Sequence, residues 1–398
     1  MKQYINFLTL LLICIIASLA SGCSSDEPKD GSDPDVPDVN KVRRTVLVYM
    51  IATNNLGTNN FDYDDIREML DGASAGSIAD DSRWLIYHAP AYGYAPRLIE
   101  FTSTDTLTLK QYESGGSATY DRIREVLDDM AAMAPADKYG LVLWSHGSGW
   151  IANGIEEDLP DEPYAQTLSF GSDNGKRMNI STLRAAVKGR GIDYIYFDVC
   201  HMCSVEVVYE LRDAVDFIVA SPSETPAAGM RYDLNMAPLC DGSKDALIHA
   251  ADNTFKEYNS MTDLYSRTCT MSVVATNGLE RLASATAAIY DLTYLPHPGE
   301  KVTNYYGTTR QGDFIDFGEY VNALANAEDV DPRLINEFNA ALDQVILYKA
   351  ATQYLWGQWP IHTASGLSTY VFNEPESFTA KGYDTLHWAI DVVSHHIH

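Results

Sequence analysis

Residues 139–150 read YGLVLWSHGSGW, and residues 193–203 read DYIYFDVCHMC. Each begins as an apolar, aromatic and β-branched run and ends in small or polar residues, the pattern of a buried strand passing into a loop. Between them, Ile180 to Val187 has helical spacing, with Asn179 placed to cap it. Strand, helix, strand is the unit from which parallel sheets are built. Upstream, Tyr120 to Met133 predicts an amphipathic helix with Ile123, Val126, Leu127 and Met130 on one face. Arg83 to His88 and Arg44 to Ala52 predict strands, and Phe61 to Ala73 a helix. Downstream, Val205 to Ala214 predicts a helix and Asp216 to Ala220 a strand. The alternation gives an α/β class, a mostly parallel sheet with helices on both faces. After Asp241 the pattern changes. Helices are predicted over Asp245–Tyr258, Leu279–Tyr290, Phe314–Ala325, Pro332–Ala350 and Lys381–Ser394, with strands over Thr268–Ala275 and Gly366–Phe372. Residues 43–295 therefore form the expected core, and 296–398 a helical C-terminal region packing on it.

The 398 residues are 46% hydrophobic and 21% charged, enough apolar matter for a sizeable core. The net charge of −27 excludes a nucleic-acid binder, which needs a basic face to displace phosphate counterions. It also opposes electrostatic docking on anionic lipid, and it suits cationic substrates.

The first residues are a targeting segment. Lys2 precedes an apolar run from Phe7 to Ala20, then Ser21-Gly22-Cys23. A charged start, a short apolar stretch and small residues before a cleavage point describe a secretory signal over 1–22. Cys23 after Gly22 resembles a bacterial lipobox, in which the Cys thiol receives diacylglycerol. Ala20 stands where Leu is usual, and an ordinary cleaved signal is the alternative. Residues 23–42 are rich in Asp and Pro and predict a disordered acidic tether. An acidic patch there also resembles surface-export signals of Gram-negative lipoproteins. The expected location is the outer membrane, at its periplasmic face or the cell surface, through the lipid on Cys23. Four cysteines remain in the folded part, Cys200, Cys203, Cys240 and Cys269, and a Cys240–Cys269 disulfide is left open.

Ligands of open parallel sheets bind at the carboxyl ends of the strands. Here two neighbouring strands end in His146 and in Cys200. Such a pair can run acyl transfer, the thiolate attacking a carbonyl and the imidazole moving the proton to the leaving amine. Gly147 lets the backbone approach a substrate and offer its N–H to an oxyanion. A helix beginning just after Cys200 would lower the thiol pKa through its dipole. Other readings of the same residues stay open. A His after a strand is often structural, and a buried Cys is often inert. Cys200-His201-Met202-Cys203 is also a C-x-x-C run, as in thiol-disulfide oxidoreductases. Cys200, Cys203 and His146 are a partial zinc set without a second spaced pair, so no metal site is assigned. His395-His396-Ile397-His398 reads as a frayed terminus.

Several motifs together resemble the clostripain family of bacterial cysteine peptidases, relatives of caspases and gingipains. They are Val46–Met50 with Asn54-Asn55-Leu56 and Glu68-Met69; Leu143–Trp150; Phe197–Met202 with Glu206; Ala220-Ser221 through Glu224-Thr225-Pro226 to Gly229 and Tyr232; and Gly366–Tyr370. The resemblance spans about 43–398 and implies a caspase/gingipain-like fold and an endopeptidase acting on protein or peptide substrates. It implies His146 and Cys200 as the catalytic pair and Gly147 and Cys200 as oxyanion donors. Asp198 becomes the floor of an S1 pocket selecting Arg or Lys at P1, with Ser221, Glu224 and Thr225 lining the substrate cleft. No cofactor is implied as required, a need for calcium is left open, and a monomer is expected. Three positions depart from the family pattern: Thr53 replaces an Asp, Ala228 stands where many members carry an acid, and Met230 replaces a Trp. Basic specificity then rests on Asp198 alone. Lys176 or Arg177, in the connection between the His and Cys strands, is an expected self-cleavage point in an exposed loop. The rival functions are a surface binding lipoprotein with reduced catalysis and a Cys200/Cys203 oxidoreductase.

Overall fold

The alternation along residues 46–51 sends every second side chain to the opposite face of a sheet. Val46, Val48 and Met50 join one apolar cluster, and Leu47, Tyr49 and Ile51 join the other. The structure, a computed structural model, describes residues 41–150, 170–293, 302–305, 313–371 and 382–394. These lie in one compact unit, Val39–His398. The signal, Cys23 and the tether up to Asn40 lie outside the described residues, as does the His395–His398 tail.

The strands are β1 (Val42–Ile51), β2 (Ser82–Ala89), β3 (Arg97–Phe101), β4 (Thr106–Gln111), β5 (Ala136–Trp144), β6 (Phe170–Asp173), β7 (Lys176–Met178), β8 (Ile192–Asp198), β9 (Phe217–Ala220), β10 (Thr270–Ala275), β11 (Asp313–Asp316), β12 (Ile346–Ala351), β13 (Tyr354–Leu355), β14 (Trp359–Pro360) and β15 (Ser368–Val371). The helices are α1 (Asn55–Thr58), α2 (Phe61–Ser74), α3 (Tyr120–Met133), α4 (Ile180–Val187), α5 (Val205–Glu210), α6 (Tyr232–Asp241), α7 (Lys244–Asn259), α8 (Leu279–Tyr290), α9 (Phe317–Ala327) and α10 (Pro332–Val345).

A nine-stranded sheet has the order β12-β10-β9-β8-β5-β1-β2-β3-β4. Its centre, β9-β8-β5-β1-β2, is parallel. Antiparallel strands close it at both sides, β10 and β12 on one and β3 and β4 on the other. Helices α3, α4, α5, α8, α9 and α10 cover one face, and α2, α6 and α7 cover the other. Both faces of the central strands are thus dry, which is why they read as continuous apolar runs.

Two predicted helices are shorter than their apolar spacing suggests. Residues 313–316 pair with β15, and the helix begins only at Phe317. The helix from Pro332 stops at Val345, and Ile346–Ala351 pairs antiparallel with β10. The region beyond 295 is therefore not a purely helical extension, since it supplies an edge strand of the main sheet. The last predicted helix, where described, is a 3-10 turn at Tyr383–Thr385 and a wide helical turn at Ala389–Val393.

Candidate active site

The register of β5 on β8 sets the two reactive residues level. Trp144 pairs with Asp198, so two residues further on His146 and Cys200 stand side by side at the carboxyl ends of parallel strands. The loops that carry them are close-packed. A Cβ on Gly147 would collide with Val199 and lie 2.9 Å from the Cys200 carbonyl oxygen. Only glycine lets the two strand ends approach this far. Trp150 closes the His segment, buried edge-on between Tyr370 (4.9 Å) and Tyr383 (4.7 Å).

Cys200 is half-buried. Its sulfur accepts from the Thr225 N–H (3.4 Å) and lies 3.5 Å from the Thr225 hydroxyl. Burial pushes the thiol up, and the Thr225 hydrogen bonds only partly offset it. The expected helix dipole is absent from this balance because α5 begins at Val205, not directly after Cys200. The intervening turn puts His201 at φ 60°, with its N–H on Ser223 O (2.9 Å) and its ring stacked on Phe314. Burial lowers His201 to about 4, so it stays neutral near pH 7.

His146 Nε2 is 2.6 Å from Asn55 Oδ1. An amide oxygen only accepts, so Nε2 carries the proton and Nδ1 is the free base. Asn54 places this partner. It caps α1, accepting from the Leu56 N–H (2.9 Å), and so sets Asn55 over the end of β5. Burial lowers the His146 pKa, and the charge of Arg177 lowers it further. At rest the Cys200 thiol is protonated and the His146 imidazole is neutral. Sequence reasoning quoted Asn55 only as part of a motif.

Behind Cys200, Asp198 is buried at the end of β8. Its carboxylate accepts from the Met230 N–H (3.2 and 3.3 Å) and the Tyr232 hydroxyl (3.2 Å). A Cβ on Gly229, at φ 61°, would sit 2.6 Å from Asp198 Oδ2, so the backbone itself walls the carboxylate. Burial raises Asp198 to about 6. A second buried carboxylate stands near it. Asp65 of α2 takes the Trp144 indole N–H at 2.6 Å, and burial together with the charge of Asp198 raises it well above the usual range. One turn on, Glu68 accepts the Tyr232 N–H (2.9 Å). The buried His88–Asp62 contact, 2.8 Å, pins α2 over β2 and holds these acids in place. Asp65 carries no local signal and Glu68 is marked only as part of the opening motif, because each looks like an ordinary helix-surface acid until α2 docks.

The remaining expectations divide. Thr225 touches the thiol, and Glu224 is exposed at the rim. Ser221 does not line the cleft. It is fully buried, with its hydroxyl among Ser223 and Thr270 (2.7 Å). Lys176 and Arg177 are not in a loop but in β7, paired with β6, and the Arg177 guanidinium donates to Ser148 Oγ (2.9 Å). Thr53 donates to Asp173 of that hairpin (2.7 Å), so a carboxylate reaches this point from another strand. Cys203 is buried, its thiol donating to Gly366 O (3.4 Å), and burial pushes it to about 12. A thiol held protonated there is a poor partner for disulfide exchange. Cys240 and Cys269 are free thiols. Among the described residues, no group of three or more His, Cys, Asp or Glu is arranged to hold a metal ion, and no helix is long and apolar enough to cross a membrane.

The model of the clostripain family, the C11 peptidases, matches residues 48–379. Among solved structures, the chain is similar to a secreted C11 cysteine protease of Bacteroides thetaiotaomicron, iotapain, with TM-score 0.74 and 24% identity, covering 88% of this chain and 99% of that one. It is similar to a secreted C11 cysteine protease from the same organism in complex with an irreversible peptide inhibitor, with TM-score 0.73, 25% identity and the same coverage. An inactive zymogen C11 protease from Parabacteroides distasonis gives TM-score 0.71 and 26% identity, covering 89% of this chain and 99% of that one. No curated protein sequence matches the chain. The family match opens inside β1 and closes beyond β15, taking in both strand ends and the acids behind them, and the chain belongs to the clostripain family of C11 cysteine peptidases.

Proposed function

We propose that the chain is an endopeptidase that cleaves after Arg or Lys, with Cys200 as nucleophile and His146 as general acid and base. The observation that carries this reading is the β5–β8 register, which pairs Trp144 with Asp198 and so brings the segments bearing His146 and Cys200 to the same carboxyl edge of the sheet. The thiol proton passes to His146 Nδ1 as sulfur bonds to the scissile carbonyl carbon. The Gly147 and Cys200 N–H groups hold the resulting oxyanion. The imidazolium protonates the leaving amine, the C–N bond breaks, and a thioester remains. Water, deprotonated by His146, then attacks the thioester and frees the thiol.

A P1 Arg or Lys would meet the Asp198 carboxylate, with Glu68 adding negative potential. Basic specificity thus has more than the single carboxylate expected from the loss of an acid at Ala228. A charge-assisted hydrogen bond contributes about 1.5–3 kcal/mol, about ten- to a hundredfold in rate. Self-cleavage at Lys176 would require β7 to leave β6. Export is supported by the secreted C11 relatives, and the lipid anchor is proposed on Cys23.

The test compares kcat/KM for matched Arg and citrulline peptides in wild type, Cys200→Ala and Asp198→Asn. Cys200→Ala should be inactive, and Asp198→Asn should lose the Arg preference while still hydrolysing neutral-P1 peptides. Activity that survives Cys200→Ala would remove the peptidase mechanism. For the anchor, palmitate labelling of cells should disappear in Cys23→Ala.

A further inference from the structure

Buried polar contacts run sideways from Cys200 beneath the surface. Thr225 touches the thiol, and Ser223 Oγ lies 2.7 Å from Thr270 Oγ1 at the start of β10. Two residues before Thr270, Thr268 Oγ1 accepts the Trp356 N–H at 3.2 Å. Trp356 is at the tip of the β13–β14 hairpin, where Leu355 O accepts the Gln358 N–H (3.0 Å). Trp356 and Gly357 have φ of 53° and 66°. The Leu355–Trp359 pairing leaves a three-residue loop, and within it the 355–358 turn has positive φ at both central residues, as in a type I′ turn, the home of Asn-Gly. A tryptophan in that first position is strained, at a cost on the order of 1–3 kcal/mol.

The strained indole meets Tyr265, ring centroids 5.2 Å apart. Tyr265 is 60% exposed and its neighbour Leu264 is 57% exposed. Asp263 presents them outward, its carboxylate accepting from the Ser266 N–H and hydroxyl, both at 2.8 Å. The hairpin tip packs on the same loop, since a Cβ on Gly357 would lie 3.1 Å from the Leu264 backbone. The result is an apolar, aromatic shelf at one end of the catalytic edge, fixed by polar contacts beneath it.

Position decides which part of a substrate reaches the shelf. His146 lies on the β5 side of Cys200 and must protonate the leaving amine, so the leaving fragment lies toward β5. The acyl fragment then runs the other way, over β9 and β10 toward β12. Strands are spaced about 4.8 Å, which puts the shelf about 10–14 Å from the nucleophile's strand, or about three to four extended residues. We infer that Leu264, Tyr265 and Trp356 form an S3–S4 subsite that takes a large aliphatic or aromatic side chain three to four positions before the scissile bond. The inference rests on the peptidase reading of Cys200 and His146.

The test uses fluorogenic tetrapeptides with Arg at P1 and Gly, Asp, Leu or Phe at P3 and at P4. Wild type should favour Leu or Phe over Gly at one of these positions by about tenfold in kcat/KM, the scale of one partly buried apolar side chain. Trp356→Asn creates Asn-Gly in the type I′ turn, so its melting temperature should not fall while the preference drops below about twofold. Tyr265→Ala should show the same loss. The Arg-over-citrulline ratio reports the P1 pocket separately. A wild type indifferent at both positions, or a Trp356→Asn that keeps its preference, overturns the shelf. If wild type hydrolyses no peptide, the peptidase reading has failed. Anisotropy of the same peptides then decides the shelf, and Leu or Phe peptides binding no tighter than Gly peptides overturn it.

Discussion

Asn55 fixes the His146 tautomer with one hydrogen bond, and catalysis should register its loss. Asn55→Ala frees the imidazole to present the wrong nitrogen, so kcat should fall about ten- to a hundredfold with KM little changed. Asn55→Asp keeps an acceptor but adds a negative charge, which raises the imidazole pKa and should move the acidic limb of the pH–rate profile upward. A merely structural Asn55 would leave that limb in place. The thiol makes a separate prediction. Burial holds it protonated, so iodoacetamide alkylation of Cys200 should keep rising between pH 6 and pH 8. A plateau by pH 7 would indicate a preformed thiolate. Asp198 has the opposite sign of consequence. It titrates at about 6, and only its ionised form attracts a P1 cation. The Arg-over-citrulline ratio should therefore collapse as pH falls through 6. Glu68 raises Asp198 by like charge, so Glu68→Gln should carry the ratio to lower pH.

At the scale of elements, α5 joins the nucleophile turn to the C-terminal segment through two buried acids. Glu206 Oε1 accepts from the Thr369 hydroxyl and the Tyr370 N–H, both at 2.9 Å. Glu210 meets His387 Nδ1 at 2.9 Å. The Glu210 hydrogen bond raises the His387 pKa above its unfolded value. The raised group stabilises the fold fully below about pH 6.5, and that stabilisation is lost as pH rises through the folded pKa. Melting temperature should fall across that rise in wild type and less so in Glu210→Gln. How legible these elements are follows from where their signal resides. The central strands and α3 carry their own patterns and are readable from sequence. The edge strand β4 is not, because it is largely exposed and lacks a buried alternating face. Pro238 inside α6 obscures that helix. β12 reads as the tail of α10 because only pairing with β10 makes it a strand. Likewise His146, Cys200 and Asp198 stand at strand ends that sequence marks, whereas Asn55 and Asp65 become site residues only through the docking of α1 and α2.

Across the whole molecule, the sheet depends on chain from both ends of the sequence. A chain ending at residue 295 would strip β12 from β10 and remove the buried Phe317, Phe338, Leu342, Val345 and Leu367. It should fail to unfold cooperatively in urea, and a sharp transition would show that the core stands without these residues. The register of β5 on β8 has a different consequence. The distance from His146 to Cys200 is set across the sheet by hydrogen bonds, not along the 53 residues between them. The covalent thread there is redundant for holding the pair together. A single nick within it should give two bands on a denaturing gel and one peak on a sizing column, with both fragments needed for turnover. The gene could likewise be split at that point and the enzyme reassembled from two polypeptides.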